Sequence, residues 1–220
     1  MDEIIRYYDA LASSYDEDRF DNTYGKFLDN QERKILDRIL LNKNEEVLDL
    51  ACGTGRLSNY ATIGVDGSSE MIEIAKKKFP QKTFLRNEAD TIILDDESVD
   101  TIISFHFFMH LNENKINRIL LEADRILRKK GRIIFDIPSK KRRNLLGYKK
   151  KNWHGANSLD ISDFKSNPNF KIKRTFGILF FPIHRFPKSW RKFLVKLDSV
   201  LANSFLKEYS SYLIIELEKK

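Results

Sequence analysis

Cysteine is almost absent from this chain of 220 residues, since Cys52 is the only one. No disulfide can form within the chain, and no metal site built from several cysteines is available. Proline and glycine are also scarce, at 5 and 9 residues, while apolar residues make up 41%. This composition argues against a largely disordered chain and supplies enough apolar side chains for one real core.

A long apolar run is missing as well. The longest apolar stretches fall far short of the roughly 20 residues that cross a membrane. The first twenty residues, MDEIIRYYDALASSYDEDRF, lean acidic and contain no cleavable apolar core, so they do not have the pattern of a signal peptide. We therefore expect a cytoplasmic protein.

Positive charge exceeds negative charge along the chain. Lys and Arg number 39 against 32 Asp and Glu, which gives a net charge of +7 and a pI of about 9.3. This excess permits a nucleic acid or an anionic membrane as partner but requires neither. The densest positive run is SKKRRNLLGYKKK, residues 139–151, which offers few apolar anchors. We expect this run to be solvated and mobile.

Predicted strands and helices alternate along most of the chain. Short apolar runs predict strands at 46–51, 62–67, 82–87, 99–105 and 131–137. Helical spacing predicts helices at 30–41, 69–79 and 113–131, the last one capped by Gly131. Two more strands are predicted at 169–181 and 210–220. Strands that alternate with helices imply a parallel sheet covered on both faces.

The first predicted strand runs into VLDLACGTGRLS, residues 47–58, which has no side chain at Gly53 and Gly55. In a doubly wound sheet, ligands bind beyond the carboxyl ends of the strands. Glycines there let the backbone turn sharply and approach a ligand, and the following helix offers free N–H groups. The second strand ends in Asp66, whose carboxylate can accept both hydroxyls of a ribose. The stretch therefore predicts a nucleoside-binding site.

Sequence blocks in a fixed order resemble one enzyme family. A dinucleotide fingerprint would need a third glycine where Ser58 stands. The string DLACGTG instead resembles motif I of the class I S-adenosylmethionine-dependent methyltransferases. Four later blocks agree in order and spacing: VDGSSEMIEIAKKKFP, RNEADTIILDDESVDTII, FHFFMHL and EADRILRKKGRIIFDIP. The N-terminal YYDALASSYD resembles the small-molecule branch seen in quinone biosynthesis. The resemblance is close over residues 4–138 and loose over the last two strands.

The resemblance implies a fold, a cofactor and the residues that bind it. The fold is α/β: a doubly wound, mostly parallel, seven-stranded Rossmann-like sheet with helices on both faces and an antiparallel last strand. The cofactor is S-adenosyl-L-methionine. Its expected contacts are Asp49, Ala51, Gly53, Gly55, Asp66, Gly67, Met71, Glu88, Ala89, Phe105 and Tyr15. Glu88 stands where the family usually has Asp. Asp49 either contacts the amino acid part of the cofactor or braces the loop.

One domain is expected to include the whole chain, 1–220. Its predicted parts are a helical N-terminal segment at 1–45, a cofactor-binding core at 46–138, a basic loop and short helix at 139–168, and an amphipathic helix at 182–209 inserted between the last two strands. The sequence leaves the oligomeric state open.

His106 and His110 flank FFM just after the fourth strand, where this family builds its acceptor pocket. Their i, i+4 spacing suits one helical face, but no third ligand is near, so we expect no metal site. Histidine titrates near neutrality, which makes either one a candidate general base. The alternative is that each is a polar residue bridging loop and helix.

The expected acceptor pocket has an apolar, aromatic rim that includes Phe105, Phe107, Phe108, Met109 and Trp153. No Asn/Asp-Pro-Pro-aromatic motif follows the fourth strand, which disfavours methylation of adenine or glutamine nitrogen. We expect a small, aromatic or lipophilic metabolite as acceptor, methylated at O, N or C. One alternative is an RNA methyltransferase that uses 140–151 with Tyr148 and Trp153 to stack bases. Another is an inactive scaffold that retains the fold.

The segment FPKSWRKFLVKLDSVLANSFLKEY, residues 186–209, has the spacing of an amphipathic helix. Its apolar positions are Trp190, Phe193, Leu194, Leu197, Val200, Leu201 and Phe205. A bare apolar stripe of this size would not stay exposed in water. We expect a lid over the carboxyl edge of the sheet. Peripheral membrane contact through the basic, Trp-containing face is the alternative.

Overall fold

A computed structural model describes residues 2–42, 44–148, 157 and 159–220. Its strands are β1 (Val47–Leu50), β2 (Ile63–Asp66), β3 (Thr83–Arg86), β4 (Val99–Ser104), β5 (Leu127–Pro138), β6 (Phe170–Ile178) and β7 (Tyr212–Lys219). Its α-helices are α1 (Asp2–Leu11), α2 (Tyr15–Phe20), α3 (Thr23–Ile39), α4 (Ser69–Lys78), α5 (Glu113–Ile126), α6 (Lys140–Leu145) and α7 (Lys188–Ala202). Short 3₁₀ turns lie at Phe108–His110, Ile161–Phe164, Ile183–Arg185 and Lys207–Tyr209.

The seven strands form one sheet in the order β3-β2-β1-β4-β5-β7-β6. The first five of these are parallel, and β7 runs antiparallel to both of its neighbours. The predicted fold class is confirmed in this respect. Strand order reverses between β1 and β4, and crevices at such a switch point open at the carboxyl edge of the sheet.

Apolar helix faces cover both sides of the sheet. On α5, Ile116, Ile119, Leu120 and Ala123 are buried at helical spacing against one face. On α3, Leu28, Ile35, Leu36 and Ile39 are buried against the other face. The same stripe of α3 contains Glu32, which is fully buried although it is charged. Among the described residues, no helix is long and apolar enough to cross a bilayer.

The prediction of a helix at 113–131 is wrong about where the helix ends. It stops at Ile126, because Leu127 is already extended and pairs with Val99 of β4. Gly131 is not a helix cap. A Cβ there would lie 2.8 Å from the Arg128 carbonyl and 3.1 Å from the Asp100 carbonyl, so this position requires glycine for close backbone approach at an irregularity in the β4–β5 pairing.

The basic run begins with a short helix. Lys140–Leu145 form α6, capped by Ser139, whose hydroxyl accepts from the Arg142 N–H at 3.1 Å. The guanidinium of Arg142 donates to the carbonyls of Phe180 and Tyr209, each at 2.8 Å. Arg142 thus anchors the helix, while most described side chains of the run are exposed to solvent. Residues 149–156, including Trp153, lie outside the described residues.

Helix α7 packs on β6 and beside α3. Its buried face centres on Leu194, Asp198 and Ala202. The carboxylate of Asp198 accepts from the side-chain amide of Gln31 and from the Phe181 N–H, both at 2.7 Å. No described residue of α7 lines the cavity at the carboxyl edge. The predicted lid is corrected accordingly: the helix covers β6 and α3 instead.

Candidate active site

A cavity opens beyond the carboxyl ends of β1, β2 and β4. Most residues predicted for the cofactor line it, namely Tyr15, Ala51, Gly53, Asp66, Gly67, Met71, Glu88, Ala89 and Phe105. Both predicted catalytic histidines, His106 and His110, line it too. Asp49 lines a smaller adjoining cavity, and Gly55 lines neither.

Asp66 ties the glycine loop to the second strand. One carboxylate oxygen accepts from the Gly53 N–H and the other from the Ser68 N–H, each at 2.8 Å. Burial raises the pKa of Asp66, while these backbone N–H groups act in the opposite direction. A carboxylate oxygen has more than one lone pair, so each can accept a further hydrogen bond from a ligand hydroxyl. The geometry fits the predicted ribose contact.

Gly53 and Gly55 are required in the loop for different reasons. Gly53 has φ +52°, and a Cβ there would meet only Met71 Sδ at 3.9 Å, so it would extend into the cavity. Gly55 has φ +83°, and a Cβ there would lie 2.8 Å from Ser58 Oγ and 3.1 Å from the Phe79 ring. Gly53 therefore leaves room for a ligand, whereas Gly55 is required by the packing of the loop.

Asp49 is a buried carboxylate with no hydrogen bond or ion pair to any described residue. Burial raises its pKa to about 7; Arg56 opposes the shift and the charge of Asp66 adds to it. The smaller cavity that Asp49 lines is also lined by Arg56 and His106. One acid and two cationic side chains suit a zwitterionic amino acid group, such as the end of S-adenosyl-L-methionine. The residues present thus fit this cofactor at both ends.

His106 sits in a buried charge network. Its backbone N–H donates to Asp136 at 2.6 Å, and its ring nitrogens lie 2.9 Å from Glu32 Oε1 and 3.6 Å from Asp136 Oδ2. Arg56 lies 2.8 Å from the other oxygen of Glu32. Burial alone would lower the pKa of His106, but the carboxylates of Glu32 and Asp136 outweigh it and raise that pKa. The raised pKa favours the imidazolium form of His106, and an imidazolium has no lone pair for a substrate proton.

His110 lines the cavity beside Tyr8 of α1. Its Nε2 is 3.0 Å from the Tyr8 hydroxyl, and the two rings meet edge to face. Burial, followed by the nearby Tyr15, raises the pKa of Tyr8, so the phenol keeps its proton at neutral pH. Phe107 and Tyr15 also line the cavity. Within the described part of the chain, no group of three or more His, Cys, Asp or Glu is arranged to hold a metal.

The N-terminal helices cover the cavity through contacts that the sequence motifs do not contain. Ile4 and Ile5 line it from α1, and the Asp9 carboxylate accepts from the Ser68 hydroxyl at 2.5 Å. On α2, Asp16 accepts from the Thr54 hydroxyl at 2.6 Å. The spacing of Ile4 and Tyr8 is a sequence signal for this contact, because residues four apart lie on the same face of a helix.

Other lining residues also fall outside the predicted set. Asn87 and Ser68 line the cavity next to predicted residues. Glu88 is close to the Lys115 ammonium, with Oε2 and Nζ 3.3 Å apart, and its side chain is 40% exposed. The predicted adenine-side acid is therefore partly engaged with a lysine of α5.

A methyltransferase domain family model matches residues 48–135. A demethylmenaquinone methyltransferase of Thermotoga maritima is 32% identical over 139 residues, which are 59% of this chain and 59% of that protein. An uncharacterised protein of Methanocaldococcus jannaschii is 36% identical over 141 residues, which are 61% of this chain and 51% of that protein. The chain thus spans between half and three fifths of the length of these relatives.

A solved structure of a SAM-dependent methyltransferase from Thermotoga maritima matches the fold with a TM-score of 0.72. It is 22% identical, and the match covers 98% of this chain and 99% of that one. The motif blocks, the strand order and the matched domain lead to one conclusion. Residues 48–135 match a methyltransferase domain, and the whole chain has the fold of a SAM-dependent methyltransferase, which implies S-adenosyl-L-methionine as cofactor.

Proposed function

We propose that this protein transfers the methyl group of S-adenosyl-L-methionine to a small aromatic or lipophilic metabolite. The observation that carries the proposal is the mixed lining of the cavity. The glycine loop and Asp66 line it together with the aromatic residues Tyr8, Tyr15, Phe105 and Phe107 and with His110. The Thermotoga maritima relative is named for a small-molecule acceptor, demethylmenaquinone.

The bound cofactor supplies an electrophilic methyl group on sulfur, so the protein's own task is to bind, align and exclude water. Asp66 would hold the ribose. Asp49 would receive the ammonium of the amino acid part, and Arg56 and His106, which line the same small cavity, would face its carboxylate. Met71, Ala89 and the isoleucines of α1 would provide apolar surface for the adenine.

Tyr8 and His110 form the proton path for a hydroxyl acceptor. The Tyr8 hydroxyl lies 3.0 Å from Nε2 of His110, so in the neutral histidine that nitrogen accepts the phenol proton. The Tyr8 oxygen would take the proton of the acceptor hydroxyl while the Tyr8 proton moves to His110. One proton enters the pair, and His110 ends as an imidazolium. His106, whose pKa is raised by Glu32 and Asp136, takes no part in this step.

Labelled cofactor tests the proposal. Purified protein with deuterated-methyl S-adenosyl-L-methionine and a small-molecule extract should yield a labelled, low-mass, apolar product. Label on RNA alone, or no transfer while the cofactor binds normally, would contradict the proposed acceptor class.

Tyr8→Phe should separate chemistry from binding. For a hydroxyl acceptor, loss of the phenol proton path is expected to lower kcat about a hundredfold, the lower range for general acid–base catalysis. Cofactor affinity should change by less than about twofold, because the ring remains in place. Tyr7→Phe is the matched control, since Tyr7 is adjacent in sequence, 41% exposed and absent from the cavity lining. Equal rates in both variants would remove Tyr8 from the mechanism.

Cofactor affinity should depend on pH through Asp49. The pKa of this carboxyl is about 7, and an ammonium group binds its ionised form. Below that pH the free protein must release a proton on binding, so affinity should fall by about tenfold per pH unit. Calorimetry from acid to neutral pH measures this. Asp49→Asn should bind more weakly and lose the pH dependence, whereas an equal slope in both proteins would assign it to another group.

A further inference from the structure

Helix α7 has a second apolar face that no described residue of its own domain covers. Trp190, Phe193 and Val200 are 63%, 67% and 66% exposed. Together with the half-buried Leu197 they follow the spacing i, i+3, i+7 and i+10, which places them in one stripe. We refer to these four residues as the outer stripe. Exposed large apolar residues that form a contiguous stripe indicate an interaction site.

The orientation of the outer stripe is fixed by the buried face of the same helix. Asp198 is fully buried and accepts from Gln31 and from the Phe181 N–H, both at 2.7 Å. These two partners come from α3 and from the segment after β6. Rotating α7 to bury the outer stripe would break both hydrogen bonds and leave a buried carboxylate without partners, at high cost.

The exposed charge on α7 has one sign. Lys188, Lys192 and Lys196 are spaced at i, i+4 and i+8 on the solvent side of the helix, beside the outer stripe. The only acid in the helix is the buried Asp198. None of the three lysines forms an ion pair with a residue in the described ranges.

We propose that the outer stripe and these lysines dock α7 onto the surface of an anionic lipid membrane. The helix would lie in the interface plane, with Trp190 and Phe193 at the boundary of headgroups and acyl chains. The lysine stems can extend along the apolar surface to place each ammonium at a lipid phosphate. A second copy of the chain fits less well, because pairing two such faces brings unpaired lysines together without acids. The inference does not depend on methyl transfer.

Vesicle binding by the full-length chain tests the proposal. The protein should co-sediment with vesicles of phosphatidylcholine and phosphatidylglycerol, and much less with phosphatidylcholine alone. Phe193→Ser should weaken binding about tenfold or more, the scale for an apolar side chain lost from a buried contact. Lys192→Glu and Lys196→Glu should each weaken it at least fivefold and flatten its salt dependence.

Leu121→Ser is the matched control, since Leu121 is 60% exposed on α5, away from this face. It should bind vesicles as the wild type does. The substituted residues Phe193, Lys192, Lys196 and Leu121 are all exposed. The variants should therefore retain the wild-type melting temperature and cofactor affinity, and measuring both verifies that they fold. Absence of binding to both vesicle types would overturn the proposal. So would a concentration-dependent dimer that Phe193→Ser dissolves without any vesicle binding, which would assign the face to a second copy.

Discussion

Replacing Asp66 with alanine should weaken S-adenosyl-L-methionine binding by about 10- to 150-fold, the range for hydrogen bonds to a charged group. The carboxylate has two tasks in the geometry. It accepts from the N–H groups of Gly53 and Ser68 at 2.8 Å, and it lines the cavity that the ribose would enter. Alanine removes both the ligand contact and the anchor of the glycine loop. Loss of the ligand contact alone corresponds to the lower end of the expected range, and loss of the anchor adds to it.

Calorimetry on two further variants separates these tasks. Asp66→Asn retains the size and one acceptor oxygen, but its NH₂ group faces a backbone N–H, so an intermediate loss is expected. Asp95→Ala is the control, because Asp95 is exposed and does not line the cavity. Circular dichroism should show that all three fold. Wild-type affinity in Asp66→Ala would refute the cofactor site at this sheet edge.

The lining of the cavity at the carboxyl edge is largely predictable because its residues are local in sequence. Asp49, Gly53 and Asp66 each lie within a few residues of a strand end, and parallel strand ends meet at one edge of the sheet. Once the alternation of strands and helices is recognised, no long-range information is needed to bring these residues together.

The charge network was not predictable in the same way. Glu32 occupies a position of α3 between Leu28 and Leu36, one turn from each, which is a core position of the helix. A charged residue there is ordinarily assigned to solvent. It is buried because Arg56 and His106 arrive from the glycine loop and the end of β4. Those partners are distant in sequence, and only the folded sheet brings them together.

In helix α7, the sequence pattern predicts the wrong buried face. Its seven apolar positions suggest one buried stripe, and a polar residue such as Asp198 would be expected to face water. The structure buries Asp198 because Gln31 and the Phe181 N–H satisfy its carboxylate. Those hydrogen bonds set the rotation of the helix and leave Trp190 and Phe193 outside. A single satisfied polar group thus outweighs apolar pattern in fixing a helix face.

Replacing Glu32 with alanine should lower the free energy of unfolding by about 3–5 kcal/mol, the cost of removing one partner from a buried ion pair. Arg56 and His106 would then be left as buried cations, with the carboxylates of Asp29 and Asp136 as their remaining partners. Urea denaturation measures the change. Glu73→Gln is the control, because Glu73 pairs with Lys76 at the exposed surface and should change stability by less than about 1 kcal/mol.

The pH dependence of stability tests whether the charge network of Glu32, His106 and Arg56 causes the loss of stability expected in Glu32→Ala. In the folded protein, burial lowers the pKa of His106, but the carboxylates of Glu32 and Asp136 outweigh burial and raise that pKa. Its stabilising contribution is therefore fully present below the unfolded pKa of about 6.5, and it is lost as pH rises through the higher folded value. Glu32 behaves in the opposite sense: burial raises its pKa, but His106 and Arg56 outweigh this and lower it, so its contribution is lost as pH falls below about 4.5.

Glu32→Gln isolates the histidine part of this profile. The variant retains the side-chain volume, but His106 is left with only Asp136 as a charged carboxylate partner, so its folded pKa should drop. The loss of stability on raising the pH should then begin at a lower pH than in the wild type, while the Glu73→Gln profile should follow the wild type. NMR titration of the His106 ring gives the same shift independently. Superimposable profiles for Glu32→Gln and wild type would mean that Glu32 does not control the charge of His106.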